Sequence, residues 1–312
     1  MIVVPDARVK ALIGFAKRVG KRGSVVQVSG GIDSAVVLEL CSRAFGAARV
    51  VGLFLPDEDS SPESLEYAEL AAKSAGVELV IRDIGEARRA LGFTERAYDT
   101  VRKYFPEFSP QTEAFAFNFD LVRSRQLGTA IYELAVGPRN GRADRRARLS
   151  SSDLRLLLAH QNTKQRLRML LAYEVAEERG FVVAGCSNAD EIDLGFVVKY
   201  GDDAADVYPI IDCSKDEVRN LAAQLGVPQE IIKRPSTTDT FGLEQTQDEY
   251  FYAIRPQILR LLLEDESELR DRRLSELGIA PTDIDAFVSI AQSLKWTIRY
   301  NSARIRELDY YE

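Results

Sequence analysis

The stretch that decides the fold reads Val25-Val26-Gln27-Val28-Ser29-Gly30-Gly31-Ile32-Asp33-Ser34-Ala35-Val36-Val37-Leu38. The valines at its start form a β-branched apolar run, which predicts a strand covered on both faces. From Ala35 onward the apolar spacing becomes helical. Gly30 and Gly31 permit the sharp turn between the two elements, because neither carries a Cβ. The stretch therefore predicts strand, tight turn and helix.

The turn between strand and helix is suited to binding phosphate. Its backbone N–H groups and the hydroxyls of Ser29 and Ser34 stand at a helix N-terminus, where unpaired donors and the helix dipole favour an oligophosphate. Asp33 would repel phosphate unless a cation bridged them, and Mg²⁺ is the simplest such cation. The loop lacks the lysine of the GxxxxGK[ST] motif, which argues against kinases and GTPases. A serine-capped Gly-Gly turn without function is the alternative.

Composition is that of an ordinary globular protein. The 312 residues are 46% hydrophobic and 29% charged, which predicts one large or two small domains. The net charge of −7 argues against a nucleic-acid surface. The three cysteines have no CxxC spacing, so we expect no disulfide framework, no zinc site and a cytoplasmic location. Residues 1–5 are too short for a signal peptide, and no apolar run approaches the roughly 20 residues of a membrane span.

Strands and helices alternate through the first eighty or so residues. Apolar runs predict strands at 25–28, 50–55 and 77–81, with helices before, between and after the first two. The helix between the second and third strands begins at Ser61-Pro62-Glu63, with proline in the first position. This alternation predicts a doubly wound parallel α/β sheet with its ligand at the carboxyl ends of the strands.

The segment from about residue 90 to 158 interrupts this pattern. It holds aromatic clusters at 104–105 and 115–119 and a basic run at 139–148. That run is either a solvated, mobile loop or a lid or oligomer contact that supplies arginines to an anionic substrate. We treat 90–158 as an insertion in an α/β domain spanning 1–250. Helical spacing, as at Ile284, Phe287, Ile290 and Leu294, predicts a helical C-terminal extension at 251–312, packed on the same domain.

Two later stretches carry polar residues in regular order. The first, Asn162-Thr163-Lys164-Gln165-Arg166-Leu167-Arg168-Met169, predicts a helix with Asn162 as its N-cap and with Lys164 and Arg168 on one face. The second follows a predicted strand at 181–184 and contains Gly185-Cys186-Ser187-Asn188-Ala189-Asp190-Glu191, Lys199-Tyr200-Gly201-Asp202, Asp206-Val207-Tyr208-Pro209-Ile210 and Lys215.

Together these stretches resemble a known family. Ser-Gly-Gly-Ile-Asp-Ser at 29–34 is similar to the pyrophosphate loop of the ATP pyrophosphatase (PP-loop) superfamily, whose enzymes split ATP into AMP and pyrophosphate. The order and spacing of the later stretches resemble the ammonia-dependent NAD synthetases over roughly residues 20–82 and 160–250. The resemblance implies a sheet fold like that of the adenine nucleotide alpha hydrolases.

The resemblance also implies roles for particular residues. Asp33, Lys215 and Ser236 would be catalytic, and Asp33 and Glu191 would share Mg²⁺. Arg219 is a further cation that would neutralise developing charge. ATP and the acid substrate would be bound by Ser29, Gly30, Gly31, Asp33, Ser34, Asn162, Arg166, Cys186, Lys199, Asp202, Asp206 and Lys215. Each also has a structural alternative, such as a solvated lysine, an acid at a helix N-terminus or a turn residue.

The implied reaction has two steps. The carboxylate of deamido-NAD attacks the α-phosphorus of ATP and releases pyrophosphate, and ammonia then displaces AMP to form the amide. This chemistry requires charge neutralisation and alignment rather than a covalent nucleophile, so we expect His160, the single histidine, to be incidental. About 20 residues precede the first strand, too few for a fused glutaminase, which implies free ammonia or a separate glutaminase subunit. A homodimer is implied by analogy.

The chain departs from the family pattern at three places. Cys186 replaces the usual threonine, 250–256 replaces a Leu-Gly-x-x-Tyr pattern, and Leu294-Lys295-Trp296 replaces His-Lys-Arg. The last two segments help the family to bind deamido-NAD, so a ligase that amidates another carboxylic acid is the first alternative. A non-catalytic nucleotide-binding protein is the second, and the joint presence of Asp33, Glu191 and Lys215 argues against it.

Overall fold

Strands and helices alternate through the first part of the chain, as predicted. The computed structural model describes residues 5–234, 241–244, 254–263 and 268–302. In chain order the elements are α1 (Pro5–Arg18), β1 (Ser24–Gln27), α2 (Ile32–Phe45), β2 (Val50–Phe54), α3 (Pro62–Ala75), β3 (Glu78–Ile81), α4 (Gly85–Ala90), α5 (Phe93–Arg102), β4 (Glu113–Phe119), α6 (Leu121–Leu127), β5 (Tyr132–Pro138), β6 (Arg145–Arg148), α7 (Ser151–Arg179), β7 (Val182–Ala184), α8 (Ala189–Asp193), α9 (Lys215–Leu225), α10 (Gln229–Lys233), α11 (Pro256–Leu263), α12 (Glu268–Glu276) and α13 (Ile284–Ser302).

The central sheet has four parallel strands in the order β3-β2-β1-β7. Successive residues of β1 point to opposite faces. Val26 packs into a core that includes residues of α1, α2, α3 and α9, whereas Val25 packs into a second core with residues of α7. Helices therefore cover both faces of the sheet, which explains why both β1 and β2 contain pairs of buried valines. The predicted doubly wound parallel α/β class is confirmed.

A second sheet lies within the predicted insertion. Strands β4, β5 and β6 pair antiparallel, with Phe117 opposite Leu134 and Leu134 opposite Ala147. The aromatic cluster on β4 fills a core of its own with residues of α5 and α7. The basic run at 139–148 forms the β5–β6 hairpin rather than a free loop, and Arg145 pairs with Glu107 and Glu113. The acidic partners of Arg145 explain why this guanidinium is folded onto the sheet.

The C-terminal helices bury the predicted apolar stripe. Ile284, Phe287, Ile290 and Leu294 lie in one core with residues of α11 and α12, as the helical spacing indicated. These four residues belong to helix α13, which spans Ile284–Ser302. The proposed boundary near residue 250 falls outside the described residues, so the division into 1–250 and 251–312 stays a prediction.

Helix α7 corrects one expectation. It begins at Ser151, and Ser150 is its N-cap, because the Ser150 side chain accepts a hydrogen bond from Asp153 N at 3.1 Å. Asn162 therefore lies within this 29-residue helix, and its assignment as an N-cap is wrong. Apolar contacts of Leu157 and its neighbours with the second sheet extend the helix to the N-terminal side of Asn162. None of the helices in the described ranges is both long and apolar enough to cross a bilayer.

Candidate active site

The 29–34 loop connects the end of β1 to the first turn of α2. Gly30 has φ +77°, and a Cβ at this position would lie 2.7 Å from Ser64 O, so only glycine fits. Ser34 Oγ donates to Gly31 O at 3.0 Å and accepts from Ser29 N at 3.2 Å. The two hydroxyls thus hold the shape of the loop. Glycine at the N-cap leaves the first N–H groups of α2 without a capping side chain, so they are available to an anion.

Two acidic side chains and one lysine meet beside this loop. Asp33 Oδ2 accepts a hydrogen bond from Lys215 Nζ, and Asp33 Oδ1 accepts one from Asn188 Nδ2 at 3.1 Å. Asn188 is also the N-cap of α8, where its side chain accepts from Glu191 N at 3.1 Å and its own N–H donates to Glu191 Oε2 at 3.2 Å. A single buried asparagine therefore positions both carboxylates.

The electrostatics of this group favour a cation. Burial, followed by the negative charge of Asp33, raises the pKa of Glu191 to about 8. Burial alone would lower the pKa of Lys215, but Asp33 and Glu191 raise it above its usual value. Two half-buried carboxylates next to one lysine are suited to a hard divalent ion such as Mg²⁺, which prefers oxygen ligands. Among the described residues no cluster of three or more His, Cys, Asp or Glu is suited to a metal ion, so phosphate oxygens and water would complete the coordination.

A cavity of about 270 Å³ opens at the carboxyl ends of the parallel strands, where the sequence placed the ligand. Eight of the predicted site residues line it: Ser29, Gly31, Asp33, Ser34, Cys186, Glu191, Asp202 and Lys215. Burial raises the pKa of Asp202 to about 6, and its Oδ1 accepts from Val198 N at 2.6 Å. The structure thus brings together residues from the first strand–helix unit and from the segment that follows β7.

Other predicted residues lie away from the cavity wall. Lys199 Nζ donates to Tyr300 O at 2.8 Å, and Arg166 donates to Lys199 O at 3.2 Å. Asp206 Oδ2 accepts from Val183 N at 2.8 Å, which fixes the end of the sheet. Asn162 is half-buried in the middle of α7. None of these four residues lines the cavity.

The remaining predicted residues have other positions. Gly30 belongs to the 29–34 loop but does not line the cavity, and its carbonyl accepts a hydrogen bond from Arg234 NH1 at 3.2 Å. Arg219 pairs with Asp216 on an exposed face of α9, which agrees with the solvated alternative. Ser236 falls outside the described residues, so its role stays a prediction.

Sequence reasoning missed three residues of the site. Arg168 and Arg234 line the cavity but were assigned no role, and neither was Asn188. Arg168 Nε donates to Leu55 O at 3.0 Å. Its place in the Asn-x-Lys-x-Arg-x-Arg-Met pattern was the available signal. No local pattern marks Arg234, since its partners are distant in the chain.

A second polar group lies beneath the site, and His160 belongs to it. Arg88 contacts Asp57 and lies 2.8 Å from His160 Nε2, while the fully buried Lys164 lies 3.0 Å from Asp57. His160 does not line the cavity, so the expectation that it takes no part in the chemistry stays a prediction. Lys164 and Arg168 both reach the chain that follows β2, so the prediction that they share one face of the helix is confirmed.

The comparison with known proteins settles the family. A model described as NAD synthase matches residues 6–106 and 126–298. The chain belongs to the NAD synthase family. An NH(3)-dependent NAD(+) synthetase from Mesorhizobium japonicum is 39% identical over 260 residues, which cover 83% of this chain and 80% of the relative. The predicted resemblance to the NAD synthetases is thus confirmed.

Solved structures of the NAD synthase fold agree with this architecture. An NH3-dependent NAD synthetase from Campylobacter jejuni has a TM-score of 0.57 at 21% identity, covering 94% of this chain and 93% of that one. An NMN synthetase from Francisella tularensis has a TM-score of 0.55 at 19% identity, covering 96% and 93%. At these identities the likeness shows the shared fold. The NAD synthase match omits residues 107–125, which lie within the predicted insertion and contain β4.

Proposed function

We propose that this protein is an ammonia-dependent NAD synthetase that uses ATP to adenylate the carboxylate of deamido-NAD and then transfers it to ammonia. One observation carries the proposal. The 29–34 loop, Asp33, Glu191 and Lys215 face a single cavity at the carboxyl ends of the parallel strands. Membership in the NAD synthase family and the 39% identity to an NH(3)-dependent NAD(+) synthetase support it.

In the proposed site the 29–34 loop binds the outer phosphates of ATP. The N–H groups at the start of α2 are preorganised donors for this anion, so little reorganisation is needed when pyrophosphate leaves. Asp33 and Glu191 would hold Mg²⁺, which when bound supplies charge neutralisation to the phosphates. Lys215 already contacts Asp33, and from there its ammonium stabilises the charge that develops on the leaving group.

The apolar part of the cavity suits the nucleoside of ATP. Val28, Leu53 and Val183, at or next to the strand ends, line it. Cys186 lies among them, and its thiol donates to Gln27 O at 3.7 Å. Burial raises the pKa of Cys186 well above its usual value, so the thiol stays protonated and unreactive. Cys186 therefore packs beside the nucleotide and takes no part in nucleophilic catalysis.

We also propose a homodimer, with the exposed aromatic residues Tyr200, Trp296 and Tyr300 at the subunit contact. Trp296 is 73% exposed and Tyr300 is 67% exposed on one face of α13, and Lys199 lies over the Tyr300 ring at 4.4 Å. Tyr200, 52% exposed, follows directly. Large exposed aromatic side chains of this kind are enriched at protein interfaces. Sedimentation equilibrium tests the proposal, since a homodimer of this 34.8 kDa chain would have twice that mass. A monomer at micromolar concentration would reject it.

A reducing cytoplasm is the compartment that we propose. The cysteines Cys41, Cys186 and Cys213 are all free thiols. Burial raises the pKa of Cys41 to about 12, so this thiol resists oxidation.

The decisive experiment supplies purified protein with ATP, Mg²⁺ and ammonium together with one acid at a time. We expect NAD, AMP and pyrophosphate in equal amounts from deamido-NAD, and little product from the corresponding mononucleotide acid. AMP formation only with another acid would favour the ligase alternative. Absence of pyrophosphate with every acid would favour a nucleotide-binding protein without turnover.

The metal assignment has its own test. We expect Asp33→Ala to abolish pyrophosphate release and to weaken Mg²⁺ binding, measured by calorimetry, because a single remaining carboxylate holds Mg²⁺ poorly. Asp216→Ala is the matched control, since Asp216 is an exposed acid paired with Arg219. Full activity of Asp33→Ala would reject the metal site.

A further inference from the structure

We infer that Arg234 is a further phosphate-binding residue of this site, which holds the back of the 29–34 loop and offers its positive charge to the outer phosphates. The inference rests on the proposed function, because it assumes that these phosphates lie in the loop. Arg234 lines the same cavity as Ser29, Asp33 and Lys215. It follows α10 directly, so a rigid helix end presents it.

Three neutral groups fix the guanidinium in place. Its NH1 donates to Gly30 O at 3.2 Å, and its NH2 donates to Ser64 Oγ at 3.1 Å. The guanidinium carbon lies 4.4 Å from the centroid of the Tyr67 ring, within the range of a cation–π contact. A Cβ on Gly30 would lie 3.2 Å from Arg234 NH1, so the guanidinium is in direct contact with the loop backbone. Arg234 is therefore attached to the loop backbone at Gly30.

Within the described ranges, no acidic side chain pairs with Arg234. In the described part of the chain its contacts are a carbonyl, a hydroxyl and an aromatic ring. Lys215, by contrast, is already paired with Asp33. The positive charge of Arg168 acts on two carboxylates: it adds to the lowering of the Asp57 pKa and opposes the rise that burial causes in the Asp202 pKa. Among the described residues that line the cavity, Arg234 thus differs from Lys215 and Arg168, because its partners there are neutral groups.

An oligophosphate is the ligand that this arrangement suits. A guanidinium has five N–H donors in a planar fork, and the contacts with Gly30 and Ser64 use two of them. Hydrogen bonds between a fixed guanidinium and phosphate oxygens are charge-assisted and geometrically specific. When Asp33 and Glu191 are both ionised, they offset part of the positive charge of Lys215 and Mg²⁺. The remaining positive charge is too small to neutralise the outer phosphates of ATP. Arg234 supplies the missing positive charge.

The test measures binding without turnover, by calorimetry with Mg²⁺ and three probes: inorganic pyrophosphate, ATP and AMP. We expect Arg234→Ala to weaken pyrophosphate and ATP binding by about 10- to 100-fold, the usual effect of losing a charge-assisted contact. AMP binding should change less than about twofold, because AMP lacks the outer phosphates. Arg234→Lys should fall between Ala and wild type, since it keeps the charge and loses the fork.

Arg43→Ala is the matched control. Arg43 also anchors a backbone carbonyl, donating to Leu225 O at 2.6 Å, but it does not line the cavity. We expect this variant to bind all three probes like the wild type. Ser34→Ala tests the loop itself and should weaken pyrophosphate binding, because Ser34 maintains the loop shape.

The outcomes separate the inference from the proposed function. Loss of pyrophosphate binding in Ser34→Ala but not in Arg234→Ala would overturn the role of Arg234 and leave the loop assignment intact. Unchanged binding in both variants would overturn both. If Arg234→Ala weakens AMP binding and ATP binding equally, the loop has collapsed. This outcome would also overturn the inference. If Arg234→Ala does not fold, Arg234→Lys provides the test. Pyrophosphate binding by Arg234→Lys equal to that of wild type would then overturn the inference.

Discussion

At the scale of single residues, His160 shows how burial and neighbouring charges change the pKa of a side chain. Burial, and next the positive charge of Arg88, lower the pKa of His160 from 6.5 to about 4. Asp57 and Asp59 oppose this shift, while Lys164 adds to it. Because Arg88 can only donate, His160 Nε2 accepts the hydrogen bond between them and Nδ1 carries the proton. The ring is therefore a neutral acceptor that links α7 to α4.

This assignment predicts the pH dependence of folding. The folded chain keeps His160 neutral while the unfolded chain takes up a proton near pH 6.5, so its contribution to stability is present above pH 6.5 and lost as pH falls towards 4. We expect a contribution of about 3 kcal/mol from this shift. Since the chain has one histidine, NMR can follow a single imidazole signal. A midpoint near 6.5 in the folded protein would contradict the prediction. The free energy of unfolding is measured against pH for wild type and His160→Asn. The difference between the two slopes separates the effect of His160 from that of the carboxylates.

At the scale of elements, helix α8 positions the acidic side chains. The helix has five residues, and its capping box joins Asn188 to Glu191. The same Asn188 side chain donates to Asp33 on α2, so one residue links the start of two helices. Asn188 is 1% exposed, and its side chain is held on both sides. Residues that orient metal ligands in this way commonly change metal affinity when they are replaced.

We expect Asn188→Ala to weaken Mg²⁺ binding by about tenfold and to lower the free energy of unfolding by about 1–2 kcal/mol. Asn188→Ser should separate the two effects, because serine still caps the helix but cannot reach Asp33. Its stability should stay near wild type while Mg²⁺ binding weakens. Ser150→Ala, which removes the cap of α7, is the control and should lower stability alone. Calorimetry measures Mg²⁺ binding, and urea denaturation measures the free energy of unfolding. Wild-type Mg²⁺ affinity in Asn188→Ser would contradict the prediction.

At the scale of the whole molecule, a buried ionic group joins the two sheets. Lys164 on α7 lies 3.0 Å from Asp57 and 3.4 Å from Asp59 in the connection after β2. Arg139, just after β5 of the second sheet, reaches Asp59 at 3.3 Å and Glu58 O at 2.7 Å. Burial alone would raise the pKa of Asp57, but Lys164 and Arg88 lower it below its usual value. These charges therefore attach the inserted sheet to the loop that follows β2.

Removing one partner of this group should be costly. We expect Lys164→Met to lower the free energy of unfolding by about 3–5 kcal/mol, because it removes one fully buried positive charge of the group and leaves Asp57, within the described ranges, paired with Arg88 alone. Arg146→Met is the control, since Arg146 forms a more exposed pair with Glu133 and should change stability by less than about 1 kcal/mol. Urea denaturation provides the measurement. Equal effects of the two changes would show that the buried group does not stabilise the assembly.

The sequence by itself determined the parts of this protein that depend on neighbours in the chain. The valine run, the Gly30 turn and the helical spacing after Asp33 are local patterns, and each predicted its element and the fold class. The ordered motifs that follow β7 predicted four residues of the cavity wall, Cys186, Glu191, Asp202 and Lys215, for the same reason: short strand–turn–helix units place their residues predictably at the edge of a parallel sheet.

Only the tertiary structure decided the contacts between distant residues. Arg234 is 204 positions from Gly30, and Asn188 is 155 positions from Asp33. No local spacing predicts such pairs, because they depend on how helices pack against the sheet. The same reason explains the error at Asn162, where packing on the second sheet extends α7 beyond the predicted start. Burial likewise converts His160 from an ordinary titrating group into a neutral acceptor, which residue identity alone does not reveal.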